Sequence, residues 1–146
     1  MRTATAAVLG ATALALPNAN AWAAATAQTA TAKTRVVTAT RSFTGTAGQA
    51  DRWGEVQVTI VVKKTTTTNL TTKKKTVKRK IIAARVPVYP NHTDRSIFIN
   101  QQALPLLIQE TIQAQSTNIN MVSGATDTSN GFDQSLQSAI LQARAW

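Results

Sequence analysis

The spacing of hydrophobic residues changes along this chain from a repeat of two to a repeat of three or four. In residues 55–63, four apolar side chains alternate with polar ones and share one face of a strand: Val56, Val58, Ile60 and Val62. Near the end of the chain, four others recur at helical spacing: Phe132, Leu136, Ile140 and Ala143. Because the strand pattern precedes the helix pattern without alternating with it, the sequence predicts an α+β fold.

Two more segments predict strands, which gives an antiparallel meander of about three strands. Residues 36–46 are rich in β-branched side chains, and residues 71–84 repeat that composition. No Asn-Gly or Asp-Gly pair marks a tight hairpin turn, so we expect a loose loop at residues 64–70. Pro87 and Pro90 are expected to close the sheet, since proline cannot donate to the ladder.

Two helices are predicted after the sheet. The first has an apolar face formed by Leu104, Leu107, Ile108 and Ile112. We expect Asn100 as its N-cap and Pro105 near its first turn. We expect Ser129 or Asn130 to cap the second, with Asp133 in its first turn, where the helix dipole favours an anion. A polar loop at residues 118–128 connects the two helices.

The N-terminus has the pattern of a secretory signal peptide. Arg2 precedes an apolar run at residues 6–16, and Ala19 and Ala21 place small residues where a signal peptidase cleaves. We therefore expect residues 1–21 to be a signal peptide and the protein to be extracytoplasmic, either secreted or membrane-associated. The alternative is a disordered, alanine-rich N-terminus. Residues 22–35 lack periodicity and predict a flexible lead-in, which leaves residues 36–146 as the domain.

Composition excludes several kinds of site. The chain has no Cys and one His, His92. Thiolate metal sites, iron–sulfur clusters, cysteine nucleophiles and multi-histidine metal sites are therefore excluded. Lys and Arg number 16 against 6 Asp and Glu, and a net charge of +10 favours an anionic partner.

The loop before the second helix is the main candidate for a functional site. Gly124 permits a turn and a close ligand approach, and Thr126 follows it just ahead of a predicted helix N-terminus. Such an end binds phosphate through its unpaired N–H groups and its dipole. Ser123, Thr128 and Ser129 add hydroxyls that could donate to phosphate. Ordinary helix capping uses the same residue types, so these observations alone leave that alternative open.

Residues 121–129, which read MVSGATDTS, resemble the flavinylation motif of the FMN-binding domain family. This family includes the flavin-carrying subunits of sodium-pumping quinone reductases and related electron-transport complexes. The resemblance extends over about residues 43–144 and is greatest to small secreted members from actinobacteria. The other matching segments are FTG at 43–45, RWGEVQV at 52–58, YP at 89–90, RS at 95–96, IN at 99–100, ALP at 103–105, AQS at 114–116 and QSLQSA at 134–139.

The resemblance implies that FMN is attached through its phosphate to the hydroxyl of Thr126. In this family a separate, magnesium-dependent flavin transferase forms the bond from FAD and releases AMP. No His or Cys lies near Thr126 in the sequence to activate its hydroxyl, which agrees with an external enzyme. The resemblance further implies an electron carrier between membrane or extracytoplasmic redox partners, with no catalytic residues of its own. The FMN-binding residues are then Thr126, Ser123, Gly124, Ala125, Thr128, Ser129, Arg95 and Ser96.

Some residues have a second interpretation. Arg95 could instead pair with Asp94 in a loop, and Trp53 could stack on the flavin or, as we expect, belong to the core. Asn120 stands where family members usually have an acidic residue. Non-covalent FMN binding is also possible.

The basic segment at residues 63–85 holds nine basic residues and no acidic one. It could bind an anionic envelope polymer or lipid head groups. It could equally be a solvated edge hairpin, since Lys commonly blocks sheet edges. Nucleic acid is not expected, because the segment has no aromatic residue. If the segment lay near the flavin, its positive field would raise the flavin potential.

Overall fold

The computed structural model describes residues 27–31 and 33–146. The predicted signal peptide at residues 1–21 lies outside the described residues, as do residues 22–26 of the predicted lead-in. Strand β1 (Ala27–Thr31) falls within the rest of that lead-in and pairs with the following strand, so the prediction of a flexible segment is wrong there. The sequence of this strand, AQTAT, has no hydrophobic repeat from which a strand could be predicted. The strand is defined by its backbone pairing with β2.

The sheet is antiparallel throughout. Strand β2 (Thr34–Thr44) pairs with the long strand β4 (Glu55–Asn69), and β5 (Lys75–Val88) pairs with β4 as well. The short strand β3 (Gly48–Gln49) pairs with the first two residues of β4, just beyond the stretch that β2 covers. With two helices following the sheet, the predicted α+β class is confirmed.

The turn between β4 and β5 differs from the prediction. Strand β4 continues through its threonines to Asn69, so the loop expected at residues 64–70 is wrong. Threonine is β-branched and fits a pleated strand better than a loop. The turn that follows is built by Asn69, whose Oδ1 accepts from the backbone N–H groups of Thr71 and Thr72 at 2.9 and 3.0 Å. This local hydrogen bonding replaces the Gly-containing turn that a tight hairpin usually has.

Pro87 lies within β5 rather than beyond it, while Pro90 follows the strand. The pairing register of β4 and β5 shifts between Gln57 and Thr59, opposite this end of β5. Proline is tolerated at such an irregularity because the regular ladder is already interrupted.

Both helices begin earlier than predicted. Helix α1 (Asp94–Ala114) is capped by Thr93, whose side chain accepts from the Ser96 backbone N–H, so Asn100 and Pro105 lie in its interior. Helix α2 (Thr126–Ala145) begins at Thr126, so neither Ser129 nor Asn130 caps it and Asp133 lies beyond the first turn. Neither described helix is long and apolar enough to cross a membrane.

Helix α2 packs closely on the sheet. Its predicted apolar face is buried against the alternating face of β4; the members are Phe132, Leu136, Ile140, Ala143, Val56, Val58, Ile60 and Val62. A Cβ on Gly45 would lie 1.9 Å from the Ser135 carbonyl oxygen, so only glycine permits this approach. Ser135 Oγ accepts from the Val58 backbone N–H at 2.9 Å, in the gap between β2 and β3. These contacts fix the position of α2 and hence of Thr126 at its start.

Candidate functional site

A cavity of about 490 Å³ lies where the starts of α1 and α2 meet the turn before β4. Six of the eight residues predicted to bind a cofactor line it: Arg95, Ser96, Gly124, Ala125, Thr126 and Thr128. Of the other two, Ser123 is exposed in the adjoining turn and Ser129 is buried. The fold therefore brings the segment at residues 95–96 to the loop at residues 124–128, about thirty positions farther along the chain.

The N-terminus of α2 reaches this cavity without a side-chain cap. Its N-cap is Ala125, which has no side chain able to accept a hydrogen bond. The first N–H groups of a helix have no acceptor within the helix, and they carry the positive end of its dipole. Thr126 is the first helical residue, is exposed and lines the cavity. Ordinary capping therefore does not account for the hydroxyl residues of this loop, whereas Thr93 does cap α1.

The buried Ser129 fixes the backbone of the loop through two hydrogen bonds. Its hydroxyl donates to the Ala125 carbonyl at 2.8 Å and accepts from the Val122 N–H at 3.1 Å. The Ala125 N–H in turn donates to the Val122 carbonyl at 3.0 Å. Gly124, between them, has φ +82°, a conformation that favours glycine. The Ser129 hydroxyl proton is thus used within the protein, and the residue positions the loop instead of donating to a ligand.

Thr128 is occupied in a similar way. Its hydroxyl donates to Asn100 Oδ1 at 2.8 Å, and Asn100 Nδ2 donates to the Pro90 carbonyl at 2.6 Å. Asn100 is 1% exposed, and all three residues line the cavity. This chain of hydrogen bonds joins α2, α1 and the segment after β5. Of the hydroxyls expected to donate to phosphate, Thr128 and Ser129 are therefore committed elsewhere.

Sequence reasoning missed Asn100 as a site residue because it assigned Asn100 to a helix cap. A signal was present in the spacing. Asn100 precedes Ala103, Leu104 and Leu107 at intervals of three, four and seven, and all four are buried on one face of α1. A polar residue on an apolar helix face needs a buried hydrogen-bond partner. Among the other missed lining residues, Thr93 caps α1, and Asp127 lies in the first turn of α2.

The remaining cavity wall is largely apolar. Trp53 is 43% exposed and lines the cavity beside Pro90 and Ile99, so our expectation of a core tryptophan is wrong. The Arg52 guanidinium lies 5.0 Å from the centroid of the Trp53 ring. Arg95, in the first turn of α1, brings a cationic side chain to the cavity, and Asp127 brings an anionic one. The site therefore combines an apolar wall with a rim of charged and backbone donor groups.

Asn120, which stands where the family usually has an acidic residue, lies next to a carboxylate of α1. Its Nδ2 donates to Glu110 Oε2 of α1 at 3.2 Å, at an exposed place before the loop. A carboxylate therefore stands beside this position even though residue 120 is not acidic.

Comparison with known proteins assigns the chain to a family. Residues 51–141 match the FMN-binding domain family, and this span includes every residue that lines the cavity. No curated protein matches the chain. The match covers more than half of the sequence and contains β4, β5, the whole of α1 and most of α2. The chain therefore belongs to the FMN-binding domain family and has a flavin-binding role, with FMN as its cofactor.

Proposed function

We propose that this protein is an exported electron carrier in which the FMN phosphate is esterified to Thr126. The observation that carries the proposal is the position of Thr126, exposed on the cavity wall at the uncapped start of α2. A phosphate on this hydroxyl lies next to the first-turn N–H groups, which favour an anion there. The signal-peptide pattern of residues 1–21 supports export.

The cavity is of suitable size and chemistry for the cofactor. Small-molecule and cofactor sites usually occupy about 300–1,000 Å³, and this cavity has about 490 Å³. Arg95 and Ser96 offer a cation and a hydroxyl for the phosphate, while Trp53 and Ile99 offer apolar surface for the flavin rings. FMN, when bound, would supply transfer of one or two electrons, and the exposure of Thr126 supports access of redox partners to it.

Attachment requires an external enzyme. A threonine hydroxyl is a weak nucleophile without a base or a metal, and no His or Cys lines the cavity. In the proposed step, catalysed by a magnesium-dependent flavin transferase, the Thr126 oxygen bonds to the phosphorus on the FMN side of FAD. The phosphoanhydride bond breaks, AMP leaves and the hydroxyl proton is released. The exposed position of Thr126 gives a second protein access to it.

The test is the intact mass after co-expression of the full chain with a flavin transferase. We expect a gain of one FMN less one water and a yellow protein that keeps its colour after acid precipitation. Thr126→Val keeps the shape of the side chain and abolishes the gain, whereas Thr71→Val, at an exposed hydroxyl outside the motif, retains it.

Two results contradict covalent attachment at Thr126. An unmodified mass with colour lost on precipitation indicates non-covalent FMN. A mass gain that persists in Thr126→Val places the bond on another residue.

To test the carrier role, the modified protein is reduced anaerobically and mixed with an electron acceptor. Rapid reoxidation is expected, and a flavin that does not exchange electrons contradicts that role.

A further inference from the structure

The hairpin of β4 and β5 carries a concentration of positive charge that the flavin site does not use. Residues 63–85 contain nine Lys and Arg residues, and residues 56–93 contain no Asp or Glu. Every residue from 71 to 80 is exposed. Lys33 adds to this end of the sheet, because its carbonyl accepts from the Leu70 N–H at 3.0 Å.

The register of the hairpin places like charges opposite each other. Lys63 pairs with Lys80, and Lys64 pairs with Arg79 in the adjacent position. Directly opposed like charges destabilise a sheet. Protection of an edge does not require this arrangement, since Lys63 and Lys64 lie on β4, which is paired on both sides at these positions. The charge of Lys64 has one interaction that explains its position, because its Nζ lies 4.9 Å from the centroid of the Trp146 ring. Lys63 and Lys80 are exposed.

The charges lie on both faces of the hairpin. Successive residues of a strand point to opposite faces, so Lys78 and Lys80 share one face and Arg79 lies on the other. Lys73 and Lys74 occupy the turn between the strands. A flat bilayer can meet only one face at a time, whereas a flexible chain can pass around both. This arrangement favours a linear polymer over a membrane.

The residue types of the hairpin further restrict the class of polymer that fits it. Residues 63–85 contain no aromatic side chain, and stacking on aromatic side chains is how proteins hold single-stranded bases. Seven of the nine cations are Lys, which acts as a point charge toward phosphate, whereas Arg supplies bidentate geometry. Thr65, Thr67 and Thr76 add hydroxyl donors on the face of Lys78. We infer that this hairpin binds a flexible, linear phosphate polymer without bases.

The two sites are independent. The cavity lies at the start of β4, near Glu55, and the hairpin turn follows its other end at Asn69, fourteen steps along the strand. At about 3.3 Å per residue, roughly 45 Å of strand separates them, several times the Debye length of about 8 Å at physiological salt. The lysines of the turn therefore do not set the flavin potential, and the hairpin can hold the polymer while the cavity remains open.

The test is fluorescence anisotropy of the full chain with labelled inorganic polyphosphate. We expect binding with or without flavin that weakens steeply with salt. For a flexible strand, each neutralised charge adds about 0.7 to the slope of log K against log salt. Lys74→Gln with Lys75→Gln is therefore expected to lower the slope by about 1.4 and to weaken binding about tenfold or more near 50 mM salt. The matched control, Arg52→Gln with Arg95→Gln, removes the same charge at the cavity end of the sheet, outside the hairpin, and retains most of the polymer affinity of the flavin-free chain.

Four outcomes overturn the inference. They are an absence of binding to polyphosphate, equal losses in the two double variants, tighter binding to single-stranded DNA of equal charge, and tighter binding to anionic phospholipid vesicles. The last two point to nucleic acid and to a membrane, respectively. Circular dichroism of each variant shows whether the sheet is intact. None of these outcomes depends on flavin attachment, so failure here is separate from failure of the proposed function.

Discussion

Replacing Asn100 with leucine tests whether the site is held together by its buried hydrogen-bond chain. Leucine has the same number and branching of side-chain heavy atoms as asparagine but no polar atom. The Pro90 carbonyl loses a donor at 2.6 Å, and the Thr128 hydroxyl loses an acceptor at 2.8 Å. Because Asn100 is 1% exposed, no rearranged surface group takes its place.

The expected loss of stability follows from these two partners. A buried polar group left without a partner costs about 1–3 kcal/mol. Both partners line the cavity, where water can reach them, so we take the lower part of that range. Asn100→Leu is then expected to lower the free energy of unfolding by about 2–3 kcal/mol. With a urea slope of about 1.5 kcal/mol per molar, the midpoint falls by roughly 1.5–2 M.

A double-mutant cycle with Thr128→Val isolates the hydrogen bond between the two side chains. Thr128→Val alone leaves Asn100 Oδ1 without its donor, while the double variant removes both ends of the bond. We expect the double variant to be more stable than the sum of the single losses predicts, by about 1 kcal/mol. The assay is urea unfolding of the flavin-free protein, followed by tryptophan fluorescence. Losses that add within about 0.3 kcal/mol refute the reasoning, because uncoupled residues are additive.

Three further predictions concern the loop and helix α2. Ser129→Ala leaves the Val122 N–H without its acceptor and should lower the free energy of unfolding by about 1–2 kcal/mol, whereas Ser123→Ala, on an exposed side chain, should change it by less than about 0.5; equal urea midpoints contradict this. Gly124→Ala meets no atom within 4 Å but must adopt φ +82°, at a cost of about 1–2 kcal/mol. Gly45→Ala meets the Ser135 carbonyl at 1.9 Å and should cost about 3 kcal/mol or more; thermal unfolding ranks the two variants, and the reverse order contradicts this. Burial raises the pKa of Asp133 above its ordinary value of 3.8, so its contribution to stability is present below pH 3.8 and is lost as pH rises through the raised pKa. Asp133→Asn should therefore be relatively more stable at pH 7 than at pH 3, and an advantage that does not change with pH contradicts this.

The sequence predicted those parts of the fold that a hydrophobic repeat determines. The alternating valines and isoleucines of β4 face the apolar side of α2 because both must leave water together. The limits of the elements were less predictable. The threonines after Lys64 are polar enough for a loop, yet they continue β4 because β-branched side chains fit a strand.

The site residues that belong to a recognisable motif could be predicted from the sequence. The roles of residue types with several structural uses could not. The loop at residues 124–126 and the segment at residues 95–96 were both identified and both line the cavity. Asn, Ser and Thr equally cap helices, build turns or bridge buried groups. Only three-dimensional neighbours show that Asn100 bridges and that Thr93 caps.

The contrast between the two helix starts links the fold to its function. A good N-cap is worth about 0.5–2 kcal/mol compared with alanine, so a helix whose N-cap is Ala125 forgoes that stabilisation. The loop is nevertheless ordered by Ser129, and Thr128 is anchored by Asn100, so its shape does not depend on a cap. The free N–H groups are then available to an anion from outside the chain. A covalently held phosphate at Thr126 completes the helix end, and we expect flavin attachment to raise the free energy of unfolding by an amount similar to that of a missing cap, about 1 kcal/mol. Urea unfolding of the modified and unmodified protein measures this difference, and a modified protein that is less stable contradicts it.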